Sequence, residues 1–184
     1  MRLVRFPAAI IALSFQFPLF LCVALTGCKG ELSTEVSPAS VPPVDVTTTL
    51  AASCEANEYH ACFDLGERYR TANGVGEDLK QANELFDRAC EGGFARSCSS
   101  LGISYLRGRG VDKDSKRAIS LFLKSCESGW VWGCHNLAGR YWIGDGVTKD
   151  LKQAEDYFQK ACDAGLREGC GAVQKVLADP DYGN

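Results

Sequence analysis

Eight cysteines between residues 54 and 170 stand at alternating steps of eight and 28 residues: Cys54 and Cys62, Cys90 and Cys98, Cys126 and Cys134, Cys162 and Cys170. Thiols so arranged can close disulfides or hold a metal ion. A structural zinc site takes four sulfur or imidazole ligands, commonly from close C-x-x-C pairs. The steps here are not of that kind, and the chain's two histidines, His60 and His135, are far apart in sequence. No metal and no cofactor is expected, and disulfides are. On one continuous helix Cys90 and Cys98 would be about 12 Å apart, beyond the roughly 7 Å between Cα atoms that a bridge can span. The chain must therefore reverse between them, and Gly92 and Gly93 are placed to turn it. Equivalent pairing in every unit leaves a register of eight or one of 28, and the longer strands Cys54 and Cys170. The shorter uses every thiol: Cys54 with Cys62, Cys90 with Cys98, Cys126 with Cys134, Cys162 with Cys170.

The elements that would hold these pairs are written three times over. "EANEYHACFDLGERYRTANGVGEDLKQANELFDRAC" (55–90) is followed by "EGGFARSCSSLGISYLRGRGVDKDSKRAISLFLKSC" (91–126) and "ESGWVWGCHNLAGRYWIGDGVTKDLKQAEDYFQKAC" (127–162), with a partial copy over 163–184. A 36-residue period of this kind predicts a helix-turn-helix solenoid. In each unit a first helix, A, carries Cys62, Leu65, Gly66 and Tyr69, or Cys98, Leu101, Gly102 and Tyr105, on one face at i, i+3, i+4, i+7. A second helix, B, begins after a polar turn at Asp78, Asp114 or Asp150, with the aspartate at its cap or two or so residues before it. It runs through Ala82, Leu85 and Phe86 or their equivalents. The turn from A to B holds "GRGV" or "GDGV", with Ala72 in place of the first glycine in the first copy. Gly66 and Gly102, with Ala138 in the third copy, sit inside helix A, where glycine costs about 1 kcal/mol against alanine, so helix B is expected to pack closely there. Phe94, Trp130 and Trp142 are assigned to the core between units.

Residues 1–27 read as an export signal: Arg2 and Arg5 in front, an apolar run from Ala8 to Leu25 broken by Ser14 and Gln16, and the ending "LTGC". That ending resembles a bacterial lipobox, which implies that Cys28 is lipidated and becomes the first residue of the mature chain. Lys29 after it favours, by the same resemblance, the outer membrane. Residues 28–53, rich in Ser, Thr, Pro and Val, read as the lipidated N-terminus and a flexible tether, and 54–184 as the solenoid. Without residues 1–27 the chain has 18 basic and 23 acidic residues, interspersed and with no basic block, which speaks against nucleic acid as a partner. An exported, membrane-anchored lipoprotein of the periplasm or outer membrane meets the oxidising surroundings in which disulfides persist.

Residues 54–178 resemble the Sel-1-like repeat family and its cysteine-rich exported branch, sometimes called Hcp-like. The "LG" of helix A with the following Tyr, "GxGVxxD", the "A" and "F" of helix B, and "AC" then "GC" at each junction carry the likeness. Ala138, Ala72 and Gly76 depart from the pattern, and the fourth copy lacks a helix B. The resemblance implies an all-α, right-handed α/α superhelix, TPR-like, with a concave face of A helices that serves protein interaction. Some cysteine-rich members are described as penicillin-binding or weak β-lactamases, which makes a β-lactam-binding hydrolase the alternative function.

Beside the Cys-Leu-Tyr face, helix A carries a second column: His60, Asp64 and Arg68, then Arg96, Ser100 and Ser104, then Trp132, Asn136 and Arg140. Stacked units would align these at i and i+4 into a mixed-charge floor, with Trp132 as an anchor for an envelope protein or peptide. No catalytic residue is assigned. The S-x-x-K, SDN and KTG elements of a serine β-lactamase are missing from the sequence, and no acid pair stands out for acid–base work.

Overall fold

The computed structural model describes residues 45–183, and among these it contains eight helices and no strand. Helices α2 (Tyr59–Thr71), α4 (Ala95–Arg107), α6 (Val131–Ile143) and α8 (Arg167–Leu177) are the A helices. Helices α1 (Val46–Glu55), α3 (Leu79–Glu91), α5 (Ser115–Glu127) and α7 (Leu151–Asp163) are of the B type. Each helix packs on the next in chain order, and consecutive A helices lie side by side, as α4 and α6 do. The result is a solenoid of helical hairpins. The expected signal, Cys28 and most of the tether lie outside the described residues.

Of the two placements the sequence allows, the aspartates before α3, α5 and α7 take the cap itself. Asp78, Asp114 and Asp150 are extended N-caps, and each carboxylate accepts a hydrogen bond at 2.9 Å from a backbone N–H of the first turn, at Gln81, Arg117 and Gln153. Each caps one donor that the helix itself leaves unpaired. The same device starts α1, where the sequence suggests tether. Asp45 accepts from Thr47 N at 3.1 Å, and the Thr48 hydroxyl donates back to the Asp45 carbonyl at 2.7 Å. The threonine run is therefore wound into a helix at one end, and the bridge from Cys54 clamps the other.

All four B helices end in one Schellman motif, a reversal in which two N–H groups beyond the helix return to carbonyls of its last turn. In α3, Gly93 N–H donates to Cys90 O at 3.1 Å and Phe94 N–H to Ala89 O at 2.9 Å. The matching bonds follow α1, α5 and α7, ending on Cys54, Cys126 and Cys162. The first cysteine of every pair thus sits in the turn that redirects the chain. The left-handed residue is Gly93, at φ +90°, while Gly92 has φ −71°. Only the second glycine makes the reversal; Ala56, Ser128 and Ala164 occupy the position of the first. Asn57, Gly129 and Gly165 take the positive φ in the other copies.

Helices α2, α4 and α6 end on a left-handed cap at Ala72, Gly108 and Gly144, whereas α8 ends at Ala178 with φ −88°. Ala72 holds φ +56°, a conformation that costs an L residue about 1–2 kcal/mol. Its N–H still donates to Arg68 O, and Asp78 N–H, across the turn, donates to Tyr69 O at 3.1 Å.

A phenylalanine of α3, α5 and α7 plugs each hairpin: Phe86, Phe122 and Phe158, each at most 2 % exposed. A Cβ on Gly66 or Gly102 would stand 2.7 Å from the ring of Phe86 or Phe122, so the missing side chain is what admits the ring. Where Ala138 replaces the glycine, Phe158 meets His135 and Trp142 edge-on, with centroids 5.0 and 6.1 Å away. Phe94 and Trp142 pack against core clusters as expected. The partial fourth copy closes without a helix B. Trp142 Nε1 donates to Asp179 at 2.9 Å, Lys149 pairs with Asp181 at 2.6 Å, and Tyr182 packs on the cluster of Phe158 and Val173 while bonding to Glu155.

Candidate functional site

Four disulfides join residues eight apart: Cys54–Cys62, Cys90–Cys98, Cys126–Cys134 and Cys162–Cys170, with Cα atoms 4.5 to 4.7 Å apart. Each ties the end of a B helix to the start of the following A helix, which fixes how one A helix presents its free face beside the next. Among the described residues no group of three His, Cys, Asp or Glu side chains is placed to hold a metal ion.

The nine residues expected to form a floor do not all meet. Arg96, Ser100 and Ser104 of α4 come together in a groove of about 320 Å³ between α2 and α4, floored by α3. Asp64 and Arg68 line a different groove, against Val46 and Leu50 of α1. His60 is exposed, and Arg68 donates to Asn73 O at 3.2 Å. Ser104 is 6 % exposed and its hydroxyl donates to Ser100 O at 3.4 Å, so it shapes the wall more than it faces solvent.

In the third unit the column is taken up by neighbours. Trp132 is 39 % exposed and stands edge-on to His135. Asn136 Nδ2 donates to Ser99 Oγ of α4 at 3.1 Å. Arg140 pairs with Asp145 at 2.9 Å, and the Asp145 carboxyl is held below the usual carboxylate range by hydrogen bonds from Ser115 and Arg140. His135 sits between Trp132 and Phe158; burial pushes its imidazole below the ordinary histidine range, opposed by Glu168. Burial thus disfavours its charged form, and the ring packs between the two aromatic side chains.

The geometry explains the division. In α4 and α6 the second column faces the preceding A helix, and there it meets a third column that the sequence reading leaves out. In α2 this is Phe63, Glu67 and Arg70, at i, i+4 and i+7. Arg96 of α4 lies over Phe63, its Cζ 4.6 Å from the ring centroid, just as Asn136 of α6 reaches Ser99 of α4. Arg107 and Arg109 complete the rim of the groove. The helical spacing of Phe63, Glu67 and Arg70 is a legible signal, but only once the A helices are known to run side by side.

The groove is charged and pre-shaped. Arg70 makes two hydrogen bonds to Glu67, at 2.9 and 2.5 Å, which hold its guanidinium above the usual range. The buried Asn83 donates to Arg109 O at 2.7 Å and pins the turn after α4 to the preceding B helix. Such a surface can bind and orient a polar chain segment.

The Sel1 repeat profile matches residues 60–94, 95–130 and 133–166. No curated protein matches the chain. Among solved structures, a Sel1 repeat protein from Oxalobacter formigenes is 28% identical with a TM-score of 0.64, the match covering 70% of this chain and 96% of that one. A protective antigen present in uropathogenic Escherichia coli strains, displaying an SLR fold, is 32% identical with a TM-score of 0.65. That match covers 67% of this chain and only 26% of the antigen. Helicobacter pylori cysteine rich protein B is 30% identical with a TM-score of 0.55, covering 67% of this chain and 89% of that one.

Proposed function

Because the chain belongs to the Sel1 repeat family, we propose that it acts as a cell-envelope scaffold that holds a protein or peptide partner against its A helices. The observation that carries this reading is the open groove between α2 and α4, which gathers Arg96, Ser100 and Ser104 on a rigid frame. Frame and groove belong together. Four disulfides at the junctions keep the A helices in fixed relation, so a partner meets a surface already shaped for it and loses less ordering entropy on binding.

The bridges also support an extracytoplasmic address, since such pairs persist in oxidising compartments. The sequence of residues 1–28 supports export and a lipid on Cys28, with the following segment as tether. A chain held at the membrane would meet envelope partners, and Trp132, exposed on the third A helix, would add an aromatic anchor.

Photocrosslinking in intact cells tests the face. With benzoylphenylalanine in place of Ser100 or Trp132, a discrete protein adduct is expected; with the same residue in place of Lys124, exposed on α5, none is. Adducts from Lys124 alone, or from no position, would overturn the reading.

A further inference from the structure

The groove between α2 and α4 is lined by four arginines, Arg70, Arg96, Arg107 and Arg109, and by one carboxylate, Glu67. The whole chain, by contrast, has a net charge of −3. Glu67 is already engaged by Arg70. The other three guanidiniums have no ion pair among the described residues, although 23 Asp and Glu side chains are distributed along the chain. Cations gathered at one concave place and left without counter-charge form a positive field that favours an anionic ligand.

Arg96 is held in an instructive way. Its guanidinium lies over the Phe63 ring at 4.6 Å and near the Trp130 ring at 5.6 Å. These ring contacts hold the cation in place, and among the described residues its N–H donors make no side-chain hydrogen bond or ion pair. A guanidinium held by aromatic contacts and otherwise unpaired keeps its donors for the two parallel hydrogen bonds that a carboxylate accepts. Arg107 stands in the last turn of α4, and Asn83 holds the backbone at Arg109. The three donors are presented from one helix and the turn that follows it.

We infer that this groove binds an acidic peptide segment of the partner, with Asp or Glu carboxylates on Arg96, Arg107 and Arg109. The inference rests on the scaffold reading above and names the chemistry of what it holds. A peptide suits the site better than an anionic bilayer, because the groove is recessed between two helices and Arg96 is bound down onto aromatic rings within it. An extended chain reaches such donors, whereas a flat surface meets only the rim.

The test uses the full chain with its bridges intact and, as probe, a fluorescein-labelled decapeptide of alternating Glu and Ala. The control is the same peptide with Lys for Glu. Anisotropy is expected to show binding of the Glu peptide alone, weakening as salt screens the contacts. Replacing Arg96 and Arg107 together by Ala is expected to lower the affinity by at least about tenfold. Replacing Lys116 and Lys124 of α5 by Ala removes the same charge elsewhere and is expected to change it little.

Equal binding of both peptides, retention of affinity in the arginine variant, or an equal loss in the lysine variant would each overturn the inference. So would arginine-dependent sedimentation with phosphatidylglycerol vesicles in the absence of peptide binding. The two readings fail separately. If the Ser100 adduct persists when Arg96 and Arg107 are Ala, the scaffold stands and the acidic ligand falls; if no A-face position gives an adduct, the scaffold itself falls.

Discussion

Reducing all four disulfides is expected to destabilise the solenoid by on the order of 10 kcal/mol, as much as a domain's whole net stability, and so to melt it at ordinary temperature. Each bridge closes a loop of about nine residues, worth about 2.5 kcal/mol in the chain-entropy account. The position of the bridges adds to their effect. In a solenoid each unit touches only its neighbours, so stability is a sum of unit and junction contributions, and here all four crosslinks lie at junctions.

The bridges are not equally protected. Cys54, Cys62, Cys90, Cys98, Cys126 and Cys134 are at most 3 % exposed, whereas Cys170 is open to solvent. A titration with phosphine reductant, with alkylation and mass analysis at each step, should open Cys162–Cys170 first. Loss of far-ultraviolet helical signal should follow when the internal pairs open. Replacing Cys126 and Cys134 together by Ala should cost about 2.5 kcal/mol and uncouple the two halves, while the same change at Cys54 and Cys62 should fray α1. A reduced protein melting within a few degrees of the oxidised one would show the bridges to be incidental.

The second large effect belongs to Phe122. Replacing it by Ala should cost about 3–5 kcal/mol, the range for emptying a buried phenylalanine site. The ring is 1 % exposed and packs in a cluster with Ala118, Ile119 and Leu137, and it fills the space that Gly102 leaves open. Two backbone helices border the void, so little can collapse into it. Chemical denaturation of the oxidised protein measures the cost. A loss under about 1 kcal/mol would mean that the hairpin does not depend on the plug.

Much of this architecture is readable from the chain because it is written repeatedly. Asp78, Asp114 and Asp150 each mark a helix start, and the eight-residue cysteine step forces a reversal whatever else is known. Other features are decided by neighbours in space. Residues 46–53 read as tether from their threonines, yet Asp45 caps them and the first bridge clamps them into a helix. Gly92 and Gly93 look equivalent in sequence; only the hydrogen bonds show that Gly93 takes the left-handed turn.

The candidate site was half legible for the same reason. Arg96, Ser100 and Ser104 belong to a column visible in one helix. Their partners Phe63, Glu67 and Arg70 face them from the previous unit, 36 residues back in period. Asn136 and Arg140 fit the same column, but Ser99 and Asp145 engage them. Whether a polar side chain on helix A is free depends on what the adjacent unit, as with Ser99, or its own A-to-B turn, as with Asp145, sets against it, which a single-helix pattern does not contain.

The account depends most on the register in which the thiols are joined. Peptide mapping of the non-reduced, alkylated protein measures it directly. Four local crosslinks are predicted, Cys54 to Cys62, Cys90 to Cys98, Cys126 to Cys134 and Cys162 to Cys170; free thiols, or links between cysteines 28 residues apart, would contradict it.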